Sequence, residues 1–232
     1  MTAERPRSSR IPPRLRGVWE RTYRETPYRD LPWFSPRPYY WVVRAVTDRW
    51  LTTPGPVLDQ GCGAGTNSIF LARAGFRVSG VDLAPHAIEA ARRRAHRAKV
   101  EVDFRVGDAL DLPYPDGTFA GAGDVGCFHT IPVPLRPDYA RGLARVVRPT
   151  GRYVLSWIGP EHTGPFGPPL RPALGEVAAS FERHFVFRTV EFHPRASGGP
   201  AHYTARLERR KVLRPKDSAS GRPRPPVSRR LR

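Results

Sequence analysis

Apolar positions in the middle of the chain fall into short runs that alternate with segments of helical spacing. A short apolar run between turn-forming residues predicts a buried strand, and apolar positions three or four residues apart predict a helix. The strands predicted in this way are 56–60, 76–82, 100–108, 118–128, 151–159, 185–193 and 202–210. The predicted helices are 39–50, 66–73, 85–99, 137–147 and 173–181.

This alternation of strands and helices predicts an α/β domain with a Rossmann-like, doubly wound sheet that is mostly parallel. Helices then cover both faces, and ligands bind at the carboxyl ends of the strands. One such domain is predicted over residues 35–210. A basic, aromatic-containing N-terminal lead over residues 1–34 precedes it and could form a lid. The basic tail over residues 211–232 has few apolar residues and is expected to be disordered.

Three glycines, Gly61, Gly63 and Gly65, follow the first predicted strand within five residues. Glycine weakens both neighbouring elements, so the turn must need a backbone conformation or a close approach that a Cβ would prevent. A dinucleotide fingerprint of the form Gly-x-Gly-x-x-Gly would place its third glycine at position 66, which is Thr66. The chain also lacks the Gly-Lys-Ser/Thr sequence of a P-loop. The turn therefore argues against an NAD site and against a P-loop.

Acidic residues stand on both sides of the glycine turn. Asp59 lies in the first predicted strand, and Asp82 ends the second. A carboxylate at Asp82 can accept hydrogen bonds from both hydroxyls of a ribose, while the glycine turn passes under a nucleoside that carries no phosphate. The alternative is that Asp82 only terminates a strand.

The formal net charge of +18 is concentrated at the two ends of the chain. Residues 206–232 carry a net charge of +9 and residues 1–30 a net charge of +4, which leaves +5 for the part between them. Charge blocks of this kind are commonly solvated arms. We therefore expect nucleic acid as a partner only through non-specific contacts with the basic tails.

Cys62 and Cys127 are the only cysteines, and they cannot form a disulfide framework, which fits a reducing cytoplasm. The N-terminal sequence lacks the apolar region of a secretory signal. No apolar stretch approaches the roughly 18 residues that a membrane span needs. We therefore expect a cytoplasmic protein without a membrane partner.

Five motifs occur in order along the predicted domain: VLDQGCGAGT, VSGVDLAP, GDALDLPYPDGTFA, GDVGCFH and LARVVRPTGRYVL. Over residues 57–157 they resemble the successive motifs of class I S-adenosylmethionine-dependent methyltransferases. The flanking sequences YRETPYRDLPWFSPRP, GCFHTIP and GPFGPPL resemble bacterial small-molecule methyltransferases related to the thiopurine, thiol and heterocyclic-toxin enzymes. Two positions depart from the family pattern. Thr150-Gly151 replaces part of the usual Pro-Gly-Gly, and Ala120 stands where an Asp commonly follows Phe119.

The resemblance implies the class I methyltransferase fold, with an antiparallel C-terminal strand, and S-adenosylmethionine as the cofactor. Its glycine turn would meet the amino-acid end of the cofactor, Asp82 would hold the ribose and Leu83 would pack on the adenine. Asp108 would accept from the adenine amino group beside Ala109. The implied cofactor-binding residues are Asp59, Gly61, Cys62, Gly63, Gly65, Asp82, Leu83, Asp108 and Ala109. The alternatives are that Asp108 caps a turn and that Cys62 is a small residue of the turn.

Methyl transfer needs few side chains, because the sulfonium methyl is already activated and the protein must mainly align the acceptor and exclude water. His129, after the fourth predicted strand, is the candidate general base, and Asp124 is a second candidate that could orient cofactor or substrate. The alternative is that His129 satisfies a loop carbonyl. Trp33, Phe34 and Phe128 are the candidate substrate contacts.

Trp19, Tyr23, Trp33 and Phe34 form an aromatic group in an otherwise polar lead. They could form a lid over the cofactor and a flat acceptor. The alternative is that they pack the following helix on the sheet.

The expected function is S-adenosylmethionine-dependent methyl transfer to oxygen, sulfur or nitrogen of a small aromatic or heterocyclic acceptor, without a metal. Three alternatives stay open: a nucleic-acid (RNA) methyltransferase, a non-catalytic cofactor-binding protein of the same fold, and an enzyme of this fold with altered chemistry. The first of these lacks a base-methylation motif of the Asn/Asp-Pro-Pro-Tyr type and a recognisable appended RNA-binding domain.

Overall fold

The computed structural model describes residues 10–52, 55–162, 170–194 and 201–211. The predictions for the basic tail beyond residue 211 and for most of the GPFGPPL motif lie outside these ranges. Within the described ranges, no helix is both long enough and apolar enough to cross a membrane.

Six helices and seven strands make up the described part of the chain. The helices are α1 Pro13–Glu25, α2 Tyr40–Thr47, α3 Thr66–Arg73, α4 Pro85–Ala98, α5 Arg136–Val146 and α6 Leu174–Phe181. The strands are β1 Pro56–Gln60, β2 Arg77–Asp82, β3 Asp103–Val106, β4 Phe119–Val125, β5 Val147–Ile158, β6 Phe185–His193 and β7 His202–Arg209. Two short 3₁₀ helices, Phe128–Thr130 and Val133–Leu135, follow β4.

The strands form one sheet in the order β3-β2-β1-β4-β5-β7-β6. The pairs from β3 to β5 are parallel, whereas β7 is antiparallel to both β5 and β6. Chain order reverses at β1, so the carboxyl ends of β1 and β4 lie side by side at the switch point where sheets of this class bind ligands. The predicted Rossmann-like sheet with an antiparallel C-terminal strand is confirmed.

Strand β5 begins at Val147, earlier than the sequence pattern predicts. Phe119 of β4 pairs with Val147, but Gly121 pairs with Arg152, so an irregularity in β5 absorbs the extra residues. Thr150 lies in this irregularity with φ of +63°. That left-handed conformation is uncommon for a residue other than glycine. The departure from the family pattern therefore falls on a backbone position that favours glycine.

The core consists of layers on both faces of the sheet, because successive residues of a strand point to opposite faces. Leu58 of β1 belongs to the cluster that contains Leu143 of α5 and Phe181 of α6. Val57, its neighbour, belongs to the cluster that contains Ala45 of α2 and Leu71 of α3. Each apolar residue of β1 therefore fixes one helical layer to the sheet.

The N-terminal lead packs on the domain in the described part of the chain. Ile11 is 4% exposed and is a member of the main core cluster, against which Leu15 also packs. Helix α1, which the sequence pattern does not predict, starts with Pro in its first turn and contacts α4. Proline is favourable there because its missing N–H needs no partner. The domain start at residue 35 stays a prediction, and the lead before it shares the domain's core.

Candidate cofactor and acceptor site

The glycine turn after β1 adopts the conformation that its composition indicates. Gly61, Gly63 and Gly65 have φ of +70°, +53° and +77°. The N–H groups of Gly61 and Cys62 donate to the carbonyl of Val81 in β2, at 2.8 and 3.0 Å. A Cβ on Gly61 would lie 2.4 Å from the Cβ of Cys127 in the turn after β4. The three positions therefore need glycine for backbone conformation, and Gly61 also needs it for the close approach of two turns.

Asp82 lies at the carboxyl end of β2 and holds the glycine turn. Its Oδ2 accepts from the N–H of Gly63 at 2.8 Å, and its Oδ1 accepts from the N–H of Ala84 at 2.9 Å. A carboxylate has about four lone-pair sites, so this one keeps capacity for a further hydroxyl donor. Burial raises the pKa of this carboxyl group, and the N–H donors of Ala84 and Gly63 oppose that shift.

The turn after β3 brings Asp108 and Ala109 to the same edge of the sheet. Asp108 is 7% exposed, and its Oδ1 accepts from the N–H of Leu110 at 2.8 Å. Its Oδ2 accepts from the N–H of Ile11 in the lead at 2.9 Å. The side-chain amide of Gln60, at the end of β1, donates to the carbonyl of Ala109 at 3.1 Å. Gln60 therefore fixes this turn to the end of β1.

Two aromatic residues of the lead cover the glycine turn. The Oη atom of Tyr23 lies 2.9 Å from the place that a Cβ on Gly63 would occupy. The indole N–H of Trp33 donates to this hydroxyl at 3.1 Å, and the Trp33 ring meets Trp19 edge to face, with 5.6 Å between ring centroids. Burial, and then the charge of Asp82, raises the pKa of Tyr23, so its hydroxyl keeps its proton.

Asp59 and Cys62 support the turn from inside. Asp59 is 4% exposed, and its Oδ2 accepts from the hydroxyl of Ser68 in α3 at 2.5 Å. Burial raises the pKa of Asp59 to about 6. Burial, followed by the charge of Asp82, also raises the pKa of the Cys62 thiol, so it is not a reactive thiolate. The contacts of Asp59 give it a role in holding α3 to the turn.

Asp124, one of the two candidate catalytic residues, is fully buried and uses both oxygens within the protein. Oδ1 accepts from the N–H of Cys127 at 2.7 Å, and Oδ2 accepts from the N–H of Phe128 at 2.9 Å and from the hydroxyl of Tyr139. Burial raises its pKa to about 7. These contacts position the turn after β4, and they occupy both carboxylate oxygens within the protein.

His129 lies in the 3₁₀ helix after β4, at the carboxyl edge of the sheet, and is 8% exposed. Its Nδ1 accepts from the N–H of Ile158 at 3.0 Å. A neutral imidazole that accepts at Nδ1 carries its proton on Nε2. Burial, and then the charge of Arg136, lowers its pKa to about 3. The geometry therefore argues against the predicted general-base role, because neither ring nitrogen has a lone pair available for a proton.

Two of the predicted substrate contacts, Phe128 and Phe34, pack against other side chains of the protein. Phe128 is fully buried and packs on Tyr139 and Phe181, with ring centroids 5.4 and 5.0 Å away. Its role in the core replaces the predicted substrate contact. Phe34 packs on Tyr28 at 5.0 Å between ring centroids and on the guanidinium of Arg94 at 5.1 Å.

Sequence reasoning missed three residues that shape the site. Tyr139 binds Asp124, Ile11 binds Asp108, and Gln60 binds the carbonyl of Ala109. Gln60 offers a local signal, because two polar residues, Asp59 and Gln60, end the short apolar run of β1. The partners of Tyr139 and Ile11 are set by the fold.

The residues present fit S-adenosylmethionine. A glycine turn with positive φ, the two carboxylates of Asp82 and Asp108, and the apolar side chains of Leu83 and Ala109 lie at one edge of the sheet. They would hold the amino-acid end, the ribose and the adenine of the cofactor in that order. Among the residues described, no group of three or more His, Cys, Asp or Glu side chains could hold a metal ion.

Comparison with known proteins agrees with this geometry. Residues 57–151 match the family described as "Methyltransferase domain". A 2-heptyl-1-hydroxyquinolin-4(1H)-one methyltransferase of Mycobacteroides abscessus is 29% identical over 177 residues, which are 72% of this chain and 77% of that protein. The chain spans about half the length of several other curated relatives it matches.

Solved structures show the same fold. A protein described under "Conversion of a Disulfide Bond into a Thioacetal Group during Echinomycin Biosynthesis" has a TM-score of 0.75 and 25% identity, covering 84% of this chain and 93% of that one. The Burkholderia thailandensis 1,6-didemethyltoxoflavin-N1-methyltransferase, solved with S-adenosylhomocysteine, has a TM-score of 0.67 and 24% identity, covering 85% and 88%.

The fold and the site define a class I S-adenosylmethionine-dependent methyltransferase. The relatives and the solved structures support the bacterial small-molecule type of these enzymes, and S-adenosylmethionine is the cofactor of this chain.

Proposed function

We propose that this methyltransferase acts on a hydroxyl or thiol of a small, planar aromatic or heterocyclic acceptor that ionises by itself near neutral pH. The sequence predicts methyl transfer to oxygen, sulfur or nitrogen, and this proposal restricts the acceptor to an acidic hydroxyl or thiol group. The hydroxyquinolone named for the Mycobacteroides relative is a planar heterocycle with a hydroxyl group, which agrees with this class of acceptor.

The observation that carries the proposal is the hydrogen bond from the N–H of Ile158 to Nδ1 of His129. It places the ring proton on Nε2, and the pKa of about 3 keeps the ring neutral at physiological pH. A neutral imidazole in this tautomer donates a hydrogen bond and does not remove a proton. His129 is therefore suited to hold an acceptor oxygen or sulfur that has already lost its proton.

Asp124 cannot replace His129 as the base. Two main-chain N–H groups and the Tyr139 hydroxyl occupy its carboxylate, and it is fully buried. Cys127 is also unsuited, because burial, and then the charge of Asp124, raises the pKa of its thiol. A plain phenol, with a pKa near 10, would remain protonated in such a site. An acidic hydroxyl or a thiol would not need a base.

The cofactor supplies an activated methyl group on a sulfonium, and the chain's own residues bind, orient and exclude water. The glycine turn and Asp82 would hold the amino-acid end and the ribose, and Asp108 and Ala109 would hold the adenine. Tyr23, with its hydroxyl over Gly63 and the Trp33 N–H bonded to it, closes the amino-acid end from the lead. Such a lid excludes water and aligns the acceptor, which are the main catalytic requirements of this reaction.

The two free cysteines support a reducing, cytoplasmic compartment for the reaction. Both thiols have raised pKa values caused first by burial, so they are protonated and unreactive at neutral pH.

A methyl-transfer screen with matched acceptors tests the proposal. Each pair contrasts an acidic acceptor with a weakly acidic one on a benzene ring: 4-nitrophenol against phenol, and thiophenol against phenol. Product is measured by mass spectrometry with S-adenosylmethionine as donor. We expect the acidic member of each pair to be methylated at least tenfold faster. Equal rates on phenol and 4-nitrophenol would show that the site supplies a base, and the proposal would be wrong.

A further inference from the structure

A cavity of about 730 Å³ lies on the helical face of the domain, between α3, α4 and the segment 28–38 of the lead. Its volume is within the range of about 300–1,000 Å³ typical of small-molecule sites. None of the glycines or carboxylates of the cofactor site lines it. It is therefore a separate cavity.

Four arginines line this cavity: Arg29, Arg73, Arg94 and Arg97. Its lining includes no acidic side chain. Across the described ranges, none of the four guanidinium groups forms an ion pair. Burial, and then the charges of Arg97 and Arg29, lowers the pKa of the half-buried Arg94. An arginine stays protonated even so, which leaves a concentration of positive charge that no acidic side chain among the described residues neutralises.

Apolar and aromatic side chains form the rest of the wall. Ile69 and Phe70 of α3 contribute an aliphatic and an aromatic surface, and Tyr28 and Phe34 of the lead face them. The guanidinium of Arg94 stacks near both lead rings, 5.6 Å from the Tyr28 centroid and 5.1 Å from the Phe34 centroid. A planar, apolar body would fit beside these rings while its charged group met the arginines.

The cavity is joined to the glycine turn through one side chain. Arg94 donates through Nη1 to the carbonyl of Ala64, within the turn, and to the hydroxyl of Thr66 at 2.8 Å. The Thr66 hydroxyl in turn donates to the carbonyl of Ser35 in the lead at 2.9 Å. The Nε and Nη2 donors of Arg94 have no acceptor among the residues described, and they remain for a ligand.

We propose that this cavity is a second binding site, which takes an organic phosphate with a planar or apolar body. Guanidinium groups match the oxygens of phosphate with paired hydrogen bonds, and several of them around one cavity suit a group that carries more than one negative charge. The ligand would lie between the lead and α3–α4. It would therefore bind together with the cofactor and would not displace it.

Calorimetric titration of the full chain tests this site with 1-naphthyl phosphate. Inorganic phosphate provides the charge alone, and 1-methoxynaphthalene provides the planar body without a charge or a methylatable group. We expect 1-naphthyl phosphate to bind at least tenfold more tightly than either, and its affinity to fall as salt is raised. Equal affinity for inorganic phosphate, or no binding of 1-naphthyl phosphate, would overturn the proposal.

A pair of double variants locates the binding. Arg73→Gln with Arg97→Gln removes two exposed arginines of the cavity, neither of which contacts the cofactor site. Arg93→Gln with Arg183→Gln removes the same charge from exposed positions outside it. We expect the first pair to weaken binding at least tenfold and the second pair less than threefold. Equal losses, or displacement of 1-naphthyl phosphate by S-adenosylhomocysteine, would show that it binds elsewhere. The result is independent of the methyl acceptor, because it is read as binding without turnover.

Discussion

The main-chain N–H of Ile11 donates to Oδ2 of Asp108 at 2.9 Å, across 97 positions of the sequence. Ile11 is also 4% exposed within the main core cluster. The start of the lead is thereby fixed beside the carboxylate that we assign to the adenine. Folding of the lead and formation of the cofactor site are consequently linked.

The packing of Ile11 predicts that the lead contributes to the stability of the whole domain. Ile11→Ala keeps the main-chain donor but removes buried apolar volume, so we expect the free energy of unfolding to fall by about 2–4 kcal/mol. Val18→Ala on α1, where the side chain is 48% exposed, is the control and should change it by less than about 0.5 kcal/mol. Denaturant titration measures both. A loss for Ile11→Ala no larger than that of the control would mean that the lead is not part of the core.

We expect the carboxylate of Asp82 to contribute a large share of the free energy of cofactor binding. Asp82→Asn retains one acceptor oxygen and loses the charge, so S-adenosylhomocysteine should bind ~1–3 kcal/mol more weakly, or roughly 5- to 150-fold. Asp103→Asn is the control, because it removes an exposed carboxyl group on β3 that pairs with Arg105, and its affinity for S-adenosylhomocysteine should equal that of the wild type. Calorimetry should also show no heat with NAD. Unchanged affinity of Asp82→Asn, or tight NAD binding, would contradict the assigned site.

We expect the N-terminal lead to contribute to cofactor binding through the hydroxyl of Tyr23. Tyr23→Phe removes the acceptor of the Trp33 N–H beside Gly63. We expect S-adenosylhomocysteine affinity to fall by about 0.5–1.5 kcal/mol, the net value of a typical hydrogen bond. Tyr40→Phe, whose side chain is 57% exposed, should leave the affinity unchanged. The idea of a lid fails if both variants bind like the wild type.

The tautomer of His129 predicts a specific pattern of kinetic effects. His129→Asn supplies an oxygen that can accept from the Ile158 N–H, but it lacks the Nε2 donor. We expect kcat to fall about 10- to 150-fold, which is the effect of losing a hydrogen bond to a charged group. Cofactor affinity should stay unchanged. The wild-type rate should follow the ionisation of the acceptor and show no fall centred near pH 6.5. Steady-state rates between pH 5.5 and 9 check both statements. A variant within threefold of wild type would remove His129 from catalysis.

The lowered pKa of His129 also predicts how stability depends on pH. The folded state keeps this ring neutral down to about pH 3, whereas the unfolded chain binds a proton near the ordinary value of 6.5. Between these values the unfolded state holds more protons, so stability falls as pH falls, by up to about 1.4 kcal/mol per pH unit. The stability of the wild type relative to His129→Asn should therefore decrease by about 2 kcal/mol between pH 7.5 and 5. Denaturant titrations of both proteins at those two pH values measure it, and a constant difference would contradict the buried, neutral imidazole.

Much of the fold follows from local pattern. The bounds of β1, α3 and β6 agree with prediction, because a short apolar run and a helical apolar spacing are properties of neighbouring residues. The conformation of the glycine turn also follows from the sequence, because three glycines within five residues indicate positive φ angles or a close approach of the backbone. Helix α1 and the early start of β5 were missed because their apolar signals are weak.

The sequence by itself determined the class of the protein, the cofactor and the order of the cofactor-binding motifs. Only the tertiary structure decided what the candidate catalytic groups do. Asp124 and Phe128 look available in the sequence, but Tyr139 and Phe181 bury them. The tautomer of His129 depends on an N–H that lies 29 residues away. A side chain's protonation and accessibility depend on groups that the fold places around it. The spacing of neighbouring residues in the sequence does not show which groups these are.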